Sequence, residues 1–479
     1  MNSIWTRLQK VFSRSSGFWR TRLFSPPRFK FEPILRSELF SADQMASHGI
    51  ALAGQHRLTT LSARDSMLHR LDDNEALLKR SRAALANAQL SSRRVTPAAE
   101  WLLDNYYLIE DNIRTARTHL PKGYSRELPR LINGPSAGLP RVYDIALETI
   151  SHGDGRVDEE SLSRFIFSYQ TVMPLALGEL WAIPIMLRLA LIENLRRVAS
   201  RVMANADERN QADDWAERLI ETSERDIKSV VLTVADMARS APPMTAAFVA
   251  EFTRRLQGQS AALALALNWI EQMLSETGSS IERQVQLDAQ QQTADQVSIG
   301  NSIGSLRLLS ANDWREFVES MSHVEQILNE DPAAIYRAMD FSTRDSYRHV
   351  IERLARRSPQ HTEIQVARAA INLAVAEVAT SPCELLARHV GYYLIGAGLP
   401  TLERRLNAQV PLHERWKRLL QQSPLMFYLA PVAFLTLIFA WPLLASAQRD
   451  GMPDAALLMM AIPCLIMTSR LAISLITGW

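Results

Sequence analysis

The chain has 479 residues, of which 47% are hydrophobic and 22% charged; this balance excludes wholesale disorder and suggests about two to four domains of ~100–200 residues. With 53 Lys and Arg against 51 Asp and Glu the net charge is +2, which gives no general argument for nucleic acid or acidic partners. The two cysteines, Cys383 and Cys464, lie far apart with no CxxC pair, so a disulfide framework and a cysteine-built zinc site are both excluded.

Residues 1–36 form a basic, aromatic N-terminal arm. Eight Lys or Arg residues stand against one acid, Glu32, with seven Trp and Phe side chains interleaved. No apolar core of the secretory kind follows, so we do not expect a signal peptide. The composition suits a poorly ordered tail, an anionic membrane surface or, last in order, single-stranded RNA. We expect no nucleic acid partner for the chain.

The next region, about residues 40–412, is soluble in character and predicts helices throughout. Alternating β-branched runs are scarce, so no sheet is expected. The predicted class is all-α, with a multi-helix cytoplasmic domain followed by a two-helix transmembrane hairpin. The predicted domains are a helical cytoplasmic domain at 37–310, a second helical segment at 311–412 and a membrane hairpin at 413–479.

Several local patterns place helices inside this region. Thr96 precedes Pro97 at a helix start, since Thr caps free N–H groups and Pro fits the first turn. Ser342 and Asp345 fit a capping box, and the helix they open is expected to end at Ser358. A further helix is predicted over 363–378.

Two segments of the soluble region are ambiguous. Val172–Ile192 is apolar over 21 residues but is interrupted by Glu179 and Arg188. We interpret it as a buried pair of core helices, with a membrane span as the alternative. Gln284–Gln296 has few apolar residues and is either a solvated helix or a linker.

The C-terminal region predicts a transmembrane hairpin. Residues 425–447 are apolar over 23 residues, about 34 Å as a helix, which is enough to span a bilayer. A second apolar run, with a predicted span at 455–476, is interrupted only by Arg470. The short linker Gln448–Asp454 contains Gly and Pro and predicts a turn.

Flanking charges predict the orientation of this hairpin. Arg415, Lys417 and Arg418 precede the first span, whereas the turn has a single Arg. The positive-inside rule therefore places residues 1–420 and the C-terminus in the cytoplasm. Together with Trp416, these residues are predicted to anchor the chain at the membrane interface. Arg470 either marks the cytoplasmic edge of a short span, which we prefer, or is buried with a functional partner.

Few motifs point to chemistry. Gly300–Gly304 matches G-x-S-x-G, which would make Ser302 a nucleophile, but the polar residues before it do not resemble the buried strand that a nucleophile elbow needs; a hinge or tight turn is preferred. His152–Asp158 superficially resembles a calcium loop, although a turn with Asp158 as a helix N-cap explains it better. The ten His residues show no HExxH or paired spacing, so no metal site is predicted.

Nucleotide and glycosyltransferase signals are also missing. The chain has no P-loop and no GxGxxG. It has no metal-binding D-x-D, and Leu412–Trp416 approaches QxxRW but has Leu in place of Gln. We therefore assign no catalytic, cofactor-binding or metal residues.

Several blocks nevertheless resemble the N-terminal part of bacterial cyclic β-1,2-glucan synthases, in the order in which that family has them. The longest and most specific runs are PKGYSRELPRL, within 96–131, and MDFSTRDSYRH, within 331–357. The other matching blocks are GLPRVY at 138–143, GELWAIPIMLRLALIENLRR at 178–197, SIGNSIGSLRLLSANDW at 298–314 and HVGYYLIGAGLPTL at 389–402.

This resemblance implies an inner-membrane enzyme that makes glucan from UDP-glucose. It also implies that UDP-glucose and a divalent metal bind a transferase domain that this chain lacks. The chain would be a split subunit, a truncated product or a fragment, inactive alone. It would brace a transferase domain or chain at the membrane and flank the nascent β-1,2-glucan. The alternative is an independent membrane-anchored scaffold with no enzyme link.

Overall fold

The structure, a computed structural model, is almost wholly helical. It describes residues 35–59, 67–91, 93–120, 124–380, 385–411, 414 and 424–477. The chain divides into two compact units, Met1–Gln326 (unit 1) and Ile327–Trp479 (unit 2). The predicted all-α class is confirmed.

Unit 1 is a stack of helices with one very small β-ladder. Its helices are α1 Ala42–Gln55, α2 Met67–Leu90, α3 Pro97–Asp104, α4 Tyr106–His119, α5 Tyr124–Glu127, α6 Arg141–His152, α7 Glu159–Val172, α8 Leu177–Arg225, α9 Val230–Ser240, α10 Ala246–Leu256, α11 Ala264–Glu276, α12 Ile281–Ala311 and α13 Trp314–Met321. Strands β1 Leu58–Thr59 and β2 Arg130–Leu131 pair antiparallel. The expectation of no sheet was thus wrong, because strands of two residues are too short to show an alternating pattern.

Helix α8 connects the two hydrophobic cores of unit 1. It has 49 residues, about 74 Å at 1.5 Å per residue. Its first half lies in a core formed with α1–α4, α6, α7, α12 and α13. Its second half packs with α9, α10 and α11.

The apolar segment 172–192 is core, as predicted, but it is not a helix pair. Helix α7 ends at Val172, and α8 begins at Leu177 and continues through Pro184. Proline removes one backbone hydrogen bond from a helix. Here Pro184 is buried and lies among buried neighbours, so tertiary packing supports the helix on both sides of it.

The helix starts partly follow the sequence signals. Thr96 caps α3 by accepting a hydrogen bond from the Ala99 N–H at 3.4 Å, as predicted. The predicted capping box at Ser342 was wrong: Asp340 caps the helix, because its carboxylate accepts from the Ser342 N–H at 3.2 Å.

The Gln-rich stretch 284–296 lies inside α12, so the linker interpretation was wrong.

Before its helical hairpin, the described part of unit 2 has α-helices of 17, 18, 5 and 7 residues. Helix α14, His323–Leu328, spans the boundary between the units. The further helices are α15 Phe341–Arg357, α16 Glu363–Thr380, α17 Val390–Leu394, α18 Leu399–Arg405, α19 Pro424–Arg449 and α20 Asp454–Thr477.

Candidate functional site

The C-terminal hairpin presents a large apolar surface. Tyr428–Arg449 and Asp454–Leu475 are each long and apolar enough to cross a membrane, and only 11% of each apolar window is buried. Large side chains such as Phe434, Trp441 and Met459 are exposed. An exposed apolar surface of this extent needs a lipid or protein cover.

The two hairpin helices contact each other through small residues. Ala440, Ala447 and Ala472 are buried between them, which is how membrane helices bring their backbones close together. Thr436 and Thr468 donate their hydroxyls to carbonyls one turn earlier, at 2.7 Å each. The polar groups of these two side chains are thus satisfied within their own helices.

The predicted interface residues are only partly described. Arg415, Trp416, Lys417 and Arg418 lie outside the described residues. Arg470 is exposed on α20. It lies sixteen residues after Asp454, about 24 Å along the helix and about 7 Å before Leu475.

Ser302 is a buried packing residue in the middle of α12. It is fully buried, and its Oγ accepts a hydrogen bond from Asn194 Nδ2 at 3.1 Å. No His is among its hydrogen-bond partners in the described chain. The strand–turn–helix of a nucleophile elbow is absent here, and the predicted hinge was wrong as well, because α12 is continuous through Gly300–Gly304.

A tight turn that follows α6 packs against the small residues around Ser302. Ser305 Oγ donates to the Gly155 carbonyl at 2.9 Å and accepts from the Val157 N–H at 2.8 Å. Gly155 has φ +79°, and a Cβ there would lie 2.4 Å from Ser302 Oγ. The calcium-like motif is therefore a docking turn, and Asp158 caps α7 as predicted.

The first charged residue of the apolar stretch, Glu179, is neutralised inside unit 1. Arg141 on α6 donates to both carboxylate oxygens, at 2.6 and 2.5 Å, and both side chains are almost fully buried. Glu179 also accepts from the Ala176 N–H at 2.9 Å and so caps α8. The sequence blocks GLPRVY and GELWAIPIMLRLALIENLRR therefore meet at this ion pair.

A second buried carboxylate, Glu193, lies about four turns further along α8. It accepts hydrogen bonds from Arg70, Arg197 and the Tyr143 hydroxyl. Burial alone would raise the pKa of Glu193, but the hydrogen bonds from Arg70 and Tyr143 and the positive charges of Arg70 and Arg197 hold it at about 2. The carboxylate is thus a fixed charge that joins α2, α6 and α8.

Unit 2 has a comparable buried polar cluster. Asp331 accepts from His389 Nδ1 at 2.8 Å and from the Val390 N–H at 2.9 Å, and His389 Nε2 lies 3.1 Å from the Tyr347 hydroxyl. Burial raises the pKa of Asp331, but the hydrogen bonds from His389 and from the Val390 and Tyr336 N–H groups, with the electrostatic effect of His389, together keep it below its usual value. A Cβ at Gly391 would lie 2.2 Å from Tyr347 Oη, which accounts for Gly at that position.

Unit 1 also contains a cleft that the sequence did not predict. Its volume is about 530 Å³, and its lining includes Arg36, Phe40, His152 and Asp154. Arg36 forms an ion pair with Asp154 at 3.3 Å.

Beside the cleft, His48, Glu148 and His152 bring their polar atoms within 4.8 Å of one another. The i, i+4 spacing of Glu148 and His152 was visible in the sequence, but the approach of His48 from α1 was not.

No family model matches the chain. Over 436 residues, 90% of its length, it is 29% identical to the cyclic beta-(1,2)-glucan synthase NdvB of Rhizobium meliloti (strain 1021). The chain resembles part of a cyclic glucan synthase. The match covers only 15% of that relative's length, and it is consistent with the relative's N-terminal region.

The matching blocks contact one another through polar side chains. The blocks meet at Arg141–Glu179, at Asn194–Ser302 and at Asp331–His389, all of them hydrogen-bonded and mostly buried. Such networks fix helices relative to one another within a unit. The buried polar networks between the matching blocks and the exposed apolar hairpin are thus the two features that bear on function.

Proposed function

We propose that this chain is the non-catalytic, membrane-anchoring part of a cyclic β-1,2-glucan synthase. It braces a UDP-glucose-dependent transferase domain or chain at the bacterial inner membrane. The match to a glucan synthase over 90% of the chain supports the link to that enzyme. The exposed apolar hairpin, whose helices are long enough to span a bilayer, supports the membrane role and is the observation that carries the anchoring proposal.

The proposed orientation places unit 1, the part of unit 2 that precedes the hairpin, and the C-terminus on the cytoplasmic side. Arg415, Lys417 and Arg418 precede the first span, and the turn between the spans carries Arg449 with acidic neighbours, so the positive-inside rule favours a cytoplasmic N-terminal region and C-terminus. Arg470, about 7 Å before the end of the second span, is placed where its guanidinium reaches the cytoplasmic headgroups.

The catalytic parts are proposed to reside outside this chain. UDP-glucose and a divalent metal would then bind the transferase, and the nascent glucan would pass the helical units. The purified chain, reconstituted in lipid vesicles with labelled UDP-glucose and Mg²⁺ or Mn²⁺, is expected to make no β-1,2-glucan. Sustained glucan synthesis by the pure chain would contradict the proposal.

A positive test follows the chain in its own host membranes. A tagged chain isolated in mild detergent is expected to bring with it UDP-glucose-dependent glucan synthesis. The matched control carries Phe434→Arg and Leu437→Arg on the exposed face of α19, and each charge costs about 2.5–3.5 kcal/mol on insertion scales. This control should lose the activity.

The alternative is an independent membrane-anchored scaffold. It would be favoured if the wild-type isolate lacked synthase activity and host membranes without the chain made glucan at an undiminished rate.

A further inference from the structure

We propose that His48, Glu148 and His152 form a binding site for a zinc-class divalent transition-metal ion. Glu148 and His152 lie one turn apart on the same face of α6, and His48 approaches from α1. His48 Nε2 is 2.9 Å and His152 Nε2 is 3.3 Å from the same oxygen, Glu148 Oε2. Two imidazole nitrogens and a carboxylate oxygen are the ligand set of many zinc sites.

The separations of these atoms suit a small ion. Zinc bonds nitrogen and oxygen at about 2.0–2.2 Å, so ligand atoms around a tetrahedral ion lie roughly 3.3 Å apart. All three donor atoms lie within 4.8 Å of one another. Small side-chain rotations therefore bring them onto one ion and leave a fourth position for water.

The tautomer of His152 is set for metal binding. Its Nδ1 lies 2.7 Å from the Glu38 carbonyl, which can only accept, so Nδ1 carries the hydrogen. In the neutral ring the lone pair is then on Nε2, which faces the Glu148 carboxylate at 3.3 Å. Two lone pairs at this distance repel unless a proton or a cation lies between them. A backbone carbonyl on the distal nitrogen is the usual outer-sphere partner of a metal-bound His.

The surroundings hold the rings in place. The Phe40 ring stacks on His152 with centroids 3.8 Å apart. At the residue next to His48, a Cβ on Gly49 would lie 2.8 Å from the Phe165 carbonyl oxygen, so α1 is seated closely on α7. The side chains of His48, Glu148 and His152 are 25%, 30% and 10% exposed, and water and an ion can therefore reach them. A bound ion would tie α1 to the end of α6.

The test uses the full chain in detergent, with any affinity tag removed and after treatment with a chelator. Titration with Zn²⁺ alone is expected to show one strong site per chain. His48→Gln and Glu148→Gln should each weaken that site at least ~10-fold, because each removes one of three ligands. The matched control is His69→Gln, since His69 forms an exposed pair with Asp73 at the same 2.9 Å but has no third ligand among the residues that the structure describes. It should bind Zn²⁺ like the wild type.

X-ray absorption at the zinc edge tests the site in the wild type alone, without any variant. Zinc X-ray absorption of the loaded wild type is expected to show a first shell with two imidazole nitrogens among the ligands. The absence of a stoichiometric site, a shell without two imidazoles, or equal weakening in His69→Gln and Glu148→Gln would overturn the assignment. The three residues would then form two ordinary His–carboxylate ion pairs that share Glu148.

Discussion

Two segments of this chain are both rich in apolar residues but have opposite surroundings. The first half of α8 and the hairpin helix α19 are both long, apolar and interrupted by proline. Every residue from Met186 to Leu195 is buried within unit 1, whereas about 11% of the apolar window of α19 is buried. One segment is covered by protein, and the other, in our account, by lipid.

The difference lies in the charged residues and their partners. Helix α8 carries Glu179, Arg188 and Glu193 among its apolar residues, and each finds a buried partner. Arg188, for example, donates to Asn112 at 3.0 Å and to the Leu309 carbonyl at 3.0 Å. In α19 the only charged residue is Arg449, at its end. Internal charges with buried partners thus distinguish a core helix from a candidate span.

The largest expected effect comes from breaking a buried ion pair of α8. Glu179→Ala leaves Arg141 buried and uncompensated, which should cost about 3–5 kcal/mol of unfolding free energy. Chemical denaturation of the full chain in detergent would measure it. Glu160→Ala, which removes an exposed i, i+4 partner of Arg164, is the control and should change stability by less than about 1 kcal/mol. Equal effects would contradict the view of α8 as a charge-satisfied core helix.

Leucine truncation compares the two segments directly. Leu187 on α8 is fully buried, and Leu437 on α19 is 62% exposed. Leu187→Ala should cost about 2–5 kcal/mol through lost transfer energy and a cavity. Leu437→Ala removes no protein packing of that kind and should leave unfolding in detergent nearly unchanged. A comparable loss in both variants would mean that α19 is covered by protein.

The buried Glu193 predicts a dependence on pH. Its pKa is about 2 in the folded chain against 4.5 for an unperturbed Glu. Because the folded pKa is the lower one, its contribution is complete above about pH 4.5 and is lost as the pH falls toward 2. This contribution to the free energy of unfolding is up to about 3 kcal/mol, at ~1.36 kcal/mol per pKa unit. Glu193→Gln should remove this part of the acid sensitivity, and an unchanged pH profile in that variant would contradict the assignment.

The turn that docks on α12 predicts a smaller effect. Gly155→Ala places a side chain at φ +79° and within 2.4 Å of Ser302 Oγ, which should cost about 1–3 kcal/mol. Gly304→Ala is the matched control, because nothing lies within 4 Å of its Cβ position. In a helix that exchange should be neutral or stabilise by up to about 1 kcal/mol. Thermal unfolding of both variants would test the docking, and equal tolerance would refute it.

The smallest effect is expected at Ser302. Ser302→Ala removes one acceptor of the Asn194 amide, which retains Ser298 at 3.2 Å, so the cost should be about 1 kcal/mol. An alkylphosphonate probe should not label wild-type Ser302, because the side chain is fully buried. Labelling of the wild type that disappears in Ser302→Ala would instead support the disfavoured hydrolase.

The sequence predicted the helical class and several helix starts because caps and apolar periodicity are local. Thr96 and Asp158 are examples, since each cap involves residues three positions apart. The prediction of a hinge at 300–304 was wrong because the small residues there pack against a turn some 150 positions earlier in the chain. His48 and Glu148 could not be paired from sequence, since 100 residues separate them. Contacts of that range depend on tertiary packing, which no local pattern encodes.

The central claim is that α19 and α20 meet lipid while the apolar start of α8 does not. The direct test is labelling of the full chain in lipid vesicles with a membrane-confined photoactivated carbene reagent, read by peptide mass spectrometry. The account predicts label in Tyr428–Arg449 and Asp454–Leu475 and none in Leu177–Ile192. Label in Leu177–Ile192, or its absence from both C-terminal helices, would contradict it.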